Sequence, residues 1–398
     1  MAACRSAQRG QRTLLLEKQP RPGTKILMSG GTRCNLTHAL DTRGFVEAFG
    51  NQGPFLHSAF AALGPEQLVD LVEAEGVATK IEPGGKIFPV SDRADDVVDA
   101  LATRLRRSGC ETDYGQAVNS IERAACGFAV TTTTQKHECE KLIVTCGGQS
   151  YPSSGSTGDG YAWARALGHT IVTPRPALVP ITSHAPWITG LQGITLSDVS
   201  VAILVDEATH SSKKPLIQRR GSFLFAHFGA TGPAVLNVSR VVSGHPHPRE
   251  LIMRCDLRPD LPEAQLDAAL QETCTAAGKR QLAGIVANYL PQRLADAVCD
   301  RANLRSEQRA AELSKPDRRR LIQTMKQFDA PISGTLGFNR AEVTAGGVAL
   351  GEIDSRTMQS KVIPGLYFAG EILDIDGPIG GYNFQAAFST GWLAGESA

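Results

Sequence analysis

Near the C-terminus, Pro364 to Asn383 reads PGLYFAGEILDIDGPIGGYN, and this stretch restricts the fold more tightly than any other. Leu366, Tyr367, Phe368 and Ala369 make a short apolar run with aromatic character that stops at Gly370-Glu371. That is the pattern of a parallel strand buried on both faces. The segment Asp374 to Gly381 holds two acids and three glycines and feeds NFQAAFSTGWLAG, where Phe384, Ala387, Phe388 and Leu393 fall close to helical spacing on one face. Strand, glycine turn and helix in succession put free amide groups and the positive end of a helix dipole where a ligand would sit. A flavin ring suits that position. Its pyrimidine edge carries carbonyl oxygens and becomes anionic on two-electron reduction, and amides near Gly381, Tyr382 and Asn383 would stabilise it by about 0.3–2 kcal/mol. An ordinary strand-loop-helix of an α/β core has the same pattern, so this stretch alone leaves both readings open.

With 398 residues, 42% of them hydrophobic, the chain can build a large core and two or three domains of about 100–200 residues each. Its 41 Lys and Arg against 40 Asp and Glu give a net charge of +1, so no long-range field draws it to nucleic acid or to an anionic membrane. Neither partner is expected. The cluster Arg318-Arg319-Arg320 reads as a solvated helix face because no aromatic residue is interleaved with it. Nine scattered cysteines, an odd number with no C-x-x-C pair, point to reduced thiols in a cytoplasmic protein, without structural zinc or a dithiol redox centre, and no metal site is expected. No apolar run approaches the ~18 residues of a membrane span. The N-terminus MAACRSAQRGQR is Arg-rich and acid-free like a transit peptide, but it runs straight into a strand.

That strand is Thr13 to Leu16, ending in Glu17-Lys18. In a dinucleotide-binding unit an acid at the end of the second strand bonds the adenosine ribose, ~20 residues after a glycine fingerprint. Counting back from Glu17 passes beyond Met1, so the first strand and its G-x-G-x-x-G are expected upstream of residue 1, in a longer or earlier-starting chain. Ala2, Ala3 and Ala7 read as the small-residue face of the helix that follows such a fingerprint, with Gly10 near its end. Next, RPGTKILMSGGTRCNLTH, Arg21 to His38, carries a Pro-Gly turn, a short apolar segment, Ser29-Gly30-Gly31 and Arg33-Cys34-Asn35. Consecutive glycines with Ser, Thr and Arg give a loop that can approach phosphate, donate amides and supply one cation.

These motifs resemble the BaiN-like (YhiN-like) FAD-dependent flavoproteins of the glutathione-reductase class of Rossmann folds. LLLEK, then KILMSGG followed by RCNLT, matches that family's N-terminal signature, with Thr32 where a third glycine is usual and His38 where an asparagine is usual. The resemblance implies an α/β fold in which a Rossmann-like FAD-binding domain carries an inserted β-barrel-like domain, itself with a helical insert. It assigns Glu17, Lys18, Thr24 and Lys25 to the cofactor, together with Ser29, Gly30, Gly31, Arg33, Cys34 and Asn35.

Gln67 to Ala74 and Ala94 to Arg107 read as amphipathic helices, and Gly84 to Asp92 resembles a family loop on the substrate side of the flavin, or is a plain turn before a strand. Val118-Ile121, Phe128-Val130 and Leu142-Val144 give three strands of a small meander, with the backbone at Val118 on the adenine by resemblance. KLIVTCGG, Lys141 to Gly148, resembles the Ala-Thr-Gly strand end of two-dinucleotide flavoproteins, which brings Thr145, Gly147 and Gly148 to the cofactor. Cys146 stands there where alanine or glycine is usual, and reads as a small buried residue. Tyr151, Ser156 and Asp159 lie in a Gly/Ser loop before the helix Gly160–Leu167, suited either to touch substrate or flavin or to cap that helix, with Asp159 a good N-cap. From Pro174 the composition turns to alternating β runs, where FAHFGATGP matches a family signature and His227 is a lone histidine suited to a structural role or to substrate contact. By resemblance Gly370 and Glu371 lie near the pyrophosphate or ribityl, Asp374 bonds the ribityl, and Gly380, Gly381, Tyr382 and Asn383 cover the flavin. The chain then divides as 1–173 (FAD domain, first part), 174–260 (barrel-like), 261–328 (helical insert), 329–345 (barrel return) and 346–398 (FAD domain, last part).

Residues 150–330 contain no second strand followed by G-x-G-x-x-G, so a separate nicotinamide domain is not expected and NAD(P)H would dock transiently at the flavin. The expected reaction moves hydride from NAD(P)H by way of FAD to a small-molecule acceptor. The resemblance points to carbon-carbon double bonds of bile-acid-like enones. Arg33, Tyr151, His227 and Tyr382 qualify as acid or base by chemistry alone, Arg33 better as a cofactor contact. Two rivals stand beside this reading: a flavin-binding protein without turnover, and a chain whose FAD binding is impaired for want of the first glycine turn. No feature sets an oligomeric state.

Overall fold

The computed structural model describes residues 1–206 and 214–398. These form two compact units: Met1–Pro176 with Phe338–Ala398, and Ala177–Gly337.

In the first unit the apolar run near the C-terminus is the strand Leu366–Phe368, buried at all three positions and parallel to Leu142–Val144. A second parallel pair joins Leu14–Glu17 to Glu111–Tyr114. The meander is antiparallel, Val118–Ala124 with Gly127–Thr132 and then Lys136–Cys139. The core beneath these strands gathers Phe45, Phe60, Phe128, Phe368, Ile372 and Leu393. Each such side chain, fully buried, stabilises the fold by about 1.5–3 kcal/mol.

The C-terminal helix runs Tyr382–Ser397, and its buried face differs from the one the sequence pattern suggests. Phe384 and Phe388 are only partly buried, stacked on each other at 5.9 Å, whereas Gln385, Ser389 and Thr390 are completely buried. The reason lies in the backbone groups they reach. Gln385 Nε2 and Ser389 Oγ both donate to Leu63 O (3.0 and 2.6 Å), and Thr390 Oγ1 accepts the Gly370 N–H (3.0 Å). Small polar side chains let the helix lie directly on backbone, and each buried polar atom finds a partner.

The helices Pro65–Glu73 and Ala94–Arg107 form as their periodicity requires. The helix after the Gly/Ser loop is Asp159–Ala166, capped by Gly158 at φ 81 rather than by Asp159, whose carboxylate is taken by Lys18 and Thr157.

The second unit holds a seven-stranded antiparallel sheet in the order 328–331, 251–256, 195–205, 217–226, 229–231, 181–182, 334–335. Its outer strands are the two ends of one segment, since Ile332 N–H bonds Leu251 O and Ser333 N–H bonds Thr182 O. The helices Glu263–Ala276, Leu282–Val286, Gln292–Arg301 and Lys315–Lys326 share a single apolar core with this sheet. The segment 261–328 therefore folds with the strands rather than apart from them. His227 is exposed at the tight turn between 217–226 and 229–231, edge-on to Phe228 at 5.0 Å, and is not a packed core histidine. Two residues suffice for that turn, and they leave its ring nothing to pack under.

The first helix, Ala2–Gln8, packs on the last through small residues, and a Cβ at Gly395 would press into the carbonyl group of Ala2. Gly→Ala in a helix interior ordinarily gains about 1 kcal/mol. Gly395→Ala is expected instead to lose about 1–3 kcal/mol by overpacking, read as a lower midpoint in urea unfolding.

Candidate functional site

Two segments more than 300 residues apart meet at one place. Gly381 has φ 89, and a Cβ there would lie 2.6 Å from the backbone carbonyl carbon and oxygen of Thr37. Only glycine fits. With its amide turned to satisfy both neighbours, Asn35 donates to Thr37 O (3.0 Å) and accepts the Gly381 N–H (3.1 Å). One residue on, Thr37 Oγ1 donates to Gln385 Oε1 (2.6 Å), and the His38 ring stacks on Tyr382 at 5.1 Å. Asn383 closes the loop before the helix: its Oδ1 accepts the Gly377 N–H (2.8 Å), and its Nδ2 donates to the carbonyls of Gly377 and Pro378 (3.1 and 3.2 Å). Among the described residues no side chain caps this 16-residue helix, so its first turn presents amide donors and the positive dipole end.

The facing loop is strained. Gly30, Gly31, Thr32 and Cys34 all have left-handed φ, at 55, 68, 69 and 60°. For β-branched Thr32 this conformation costs about 1–3 kcal/mol. Arg33 ties the loop down: its Nη2 and Nε reach Asp92 Oδ1 at 2.6 and 2.9 Å, it also pairs with Glu82, and its guanidinium lies 4.3 Å from the Phe88 ring centre. Both carboxylates belong to the 79–92 region, so this cation is engaged in holding the loop to its neighbouring hairpin. Cys34 is completely buried and burial pushes its thiol up to about 12, which makes it inert packing.

A second cluster gathers around Glu371. Its Oε1 accepts from Ser150 Oγ (2.6 Å) and from the Thr344 N–H (2.9 Å), while Thr344 Oγ1 accepts the amides of Gln149 and Ser150 (2.9 and 3.1 Å). Lys25 Nζ donates to Ser150 O and Oγ (2.9 and 2.7 Å). Burial lowers the Lys25 pKa, against the pull of Glu371 and Glu342, and burial raises Glu342. Gly148 packs so closely on Thr344 and Glu371 that a side chain there would displace both. Asp374 Oδ1 accepts the Gly346 N–H (3.1 Å).

A third group forms at the end of the strand 14–17. Glu17 Oε1 accepts the Gln19 N–H (2.8 Å), and Glu17 O accepts the Gln116 N–H (2.9 Å), which carries the segment leading to Val118 against it. The ladder shifts register between Val118, paired with Thr132, and Ser120, paired with Thr131. Lys18 Nζ donates to Thr157 Oγ1 and Asp159 Oδ2, both at 2.6 Å. Thr24 opens the short helix that bears Lys25, and Thr145 and Gly147 follow the strand 142–144 into the Glu371 cluster. Cys146 is exposed rather than buried, because the strand ends before it, yet protein packed around its sulfur still pushes the thiol up to about 11. Ser150, Thr344, Gln385 and Tyr161 were not legible as site residues. Tyr161 is 4% exposed, its hydroxyl has no partner among the described residues, and burial beside Glu371, Cys146 and Asp374 raises its pKa.

The sequence matches the HI0933-like protein Rossmann domain over residues 1–397. The chain belongs to this family of FAD-dependent oxidoreductases. It is 33% identical over 392 residues to the ribosomal RNA dihydrouridine synthase of Escherichia coli strain K12, covering 98% of this chain and 93% of that protein. To the 3-dehydro-bile acid delta(4,6)-reductase of Clostridium scindens it is 32% identical over 400 residues, covering 100% and 95%. To the ribosomal RNA dihydrouridine synthase of Haemophilus influenzae it is 30% identical over 397 residues, covering 98% and 93%. The BaiN-like resemblance carried by KILMSGG and RCNLT thus extends along the chain. The residues fit an FAD: an uncapped helix start, glycines where a Cβ would fill the approach, and a buried phenol without a partner at Tyr161. No helix among the described residues is long and apolar enough to cross a membrane.

Thr32→Gly releases the strain at φ 69 without removing a side chain from the core. It is expected to raise stability by about 1 kcal/mol, seen as a higher thermal midpoint.

Proposed function

We propose that this flavoenzyme reduces a carbon-carbon double bond conjugated to a carbonyl, taking its electrons from NAD(P)H. Both activities named for the full-length relatives support this reading, because uracil and a 3-oxo bile acid each present a C=C next to a C=O. The observation that carries it is the meeting of Asn35, Thr37 and His38 with Gly381 and Tyr382 at an uncapped helix start. FAD, when bound, supplies a carrier that accepts a hydride from the nicotinamide and gives it to the acceptor.

The chain's own residues bind and orient. Glu17 and the backbone at Val118 hold the adenosine end. Lys25, Gly147 and Gly148, backed by Ser150 and Glu371, face the diphosphate and ribityl. The amides of Tyr382 and Asn383 hold the pyrimidine edge, with Asn35 and Gly381 fixing the helix start behind them, and hydrogen-bond donors aimed at developing negative charge lower the barrier. The stack of His38 on Tyr382, with Phe45 behind it at 5.1 Å, excludes water from that edge. Burial lowers the His38 pKa, so the ring is neutral at pH 7 and adds no charge to the stack.

A second reading takes RNA as the acceptor. The near-zero charge of the whole chain hides a division: residues 177–337 carry 19 Lys and Arg against 15 Asp and Glu, an excess of four cations. A basic segment lowers the cost of approaching phosphates. It leaves the reaction type unchanged and moves only the carrier of the double bond.

Purified protein loaded with FAD is expected to bleach under anaerobic NAD(P)H and to regain its flavin absorbance on adding a conjugated steroid enone or a uridine oligonucleotide. Persistent yellow colour with either nicotinamide sinks the proposed donor. Recovery with neither acceptor sinks the double-bond reading. Gly381→Ala is expected to weaken FAD binding by at least about tenfold, a loss of about 1.4 kcal/mol, measured by flavin fluorescence titration.

A further inference from the structure

We propose that the hydroxyl of Tyr151 is the proton donor of the double-bond reduction, held in place over Lys25; this rests on the reading above. Tyr151 sits at φ 51, a left-handed conformation that a bulky side chain adopts only when its surroundings impose it. Three hydrogen bonds impose it: its N–H to Phe338 O (3.0 Å), and its carbonyl from Ser154 N and Oγ (2.9 and 2.7 Å). The backbone is fixed and strained, whereas the half-buried side chain's hydroxyl makes no hydrogen bond among the described residues.

Beneath the ring, 5.7 Å from its centre, lies Lys25 Nζ, itself fixed by both oxygens of Ser150. The charged groups that face Lys25 are Glu371 and Glu342, which oppose the lowering of its pKa by burial. A cation beneath the ring favours the negative charge left on a phenol that gives up its proton.

Of the other candidates, Arg33 is paired with Glu82 and Asp92, the Tyr382 ring packs against His38 and Phe45, Tyr161 is buried, and His227 belongs to the second unit. In the reaction, hydride carrying both electrons forms the new C–H bond at the β carbon, the C=C π bond breaks, and the pair moves to the carbonyl oxygen as an enolate. The α carbon then takes the proton from Tyr151 Oη as the O–H bond breaks, and water reprotonates the tyrosinate. The reductant is the nicotinamide-charged flavin.

Tyr151→Phe removes the hydroxyl and keeps the ring, the backbone and the contact with Lys25. Its FAD affinity, its bleaching by NAD(P)H and its reoxidation by ferricyanide, which needs no proton at carbon, are expected at wild-type values. Reoxidation by whichever acceptor serves the wild type, steroid enone or uridine oligonucleotide, is expected to slow at least ~100-fold with little change in KM. In deuterium oxide the wild type is expected to place deuterium on one face of the α carbon, and Tyr151→Phe on both. Wild-type reoxidation and single-face deuterium in the variant overturn the role of Tyr151. Wild-type protein that bleaches but is reoxidised by neither acceptor overturns the double-bond reading first, and is told apart by needing no variant.

Discussion

The approach of Gly381 to the backbone of Thr37 is the constraint on which the rest of the first unit depends. Had residue 381 a side chain, the 2.6 Å clearance to Thr37 would open, the Asn35 bridge would lengthen, and the helix start would swing away from the strained loop at 30–34. The buried polar face of the last helix serves the same end. Gln385 and Ser389 are bonded to Leu63 O, and Thr390 to the Gly370 N–H, so the helix is fixed at successive turns on a carbonyl and an amide that do not move. Apolar packing alone would tolerate sliding; directional bonds in a low-dielectric interior do not.

Glu371 plays the corresponding part in the second cluster. A partly buried carboxylate is costly unless its oxygens are bonded. Here Ser150 and the Thr344 amide bond it, and Lys25 reaches it through Ser150. Four segments, 24–28, 147–151, 342–344 and 370–372, are thereby fixed relative to one another.

What could be read from the sequence was the backbone: the strand 366–368, the helix 382–397, the glycine pairs, and the family to which KILMSGG and RCNLT point. Glycine and apolar periodicity are local signals, and local signals survive without a partner in view. Ser150, Thr344 and Gln385 left no such trace. Each is an ordinary polar residue whose meaning comes from the backbone groups that tertiary structure sets beside it. The same cause explains the helix face: Phe384 and Phe388 carry the hydrophobic signal, while the buried positions are those that must bond. Whole-chain charge says little about local charge for a different reason, because an average over 398 residues cancels an excess of cations in 177–337.

Backbone strain is distributed in a way that bears on function. Among the described residues, seven other than glycine have left-handed φ, and four of them, Thr32, Cys34, Asp92 and Tyr151, lie in or against the loops of the cleft. Strain persists only where surrounding bonds over-determine it. At Asp92 those bonds are the ion pairs to Arg33 and Lys80, and at Tyr151 they are the ties to Phe338 and Ser154. The ion pairs also act on the strained loop itself, since Arg33 lies between Thr32 and Cys34 and cannot relax while Asp92 holds it. Partners hold the Asp92 carboxyl below the ordinary range, so their contribution is present above that range and fades as pH falls through the lowered value. The geometry of the loop facing Gly381 is thus held by exposed charges some residues away, and acid or high salt would loosen it.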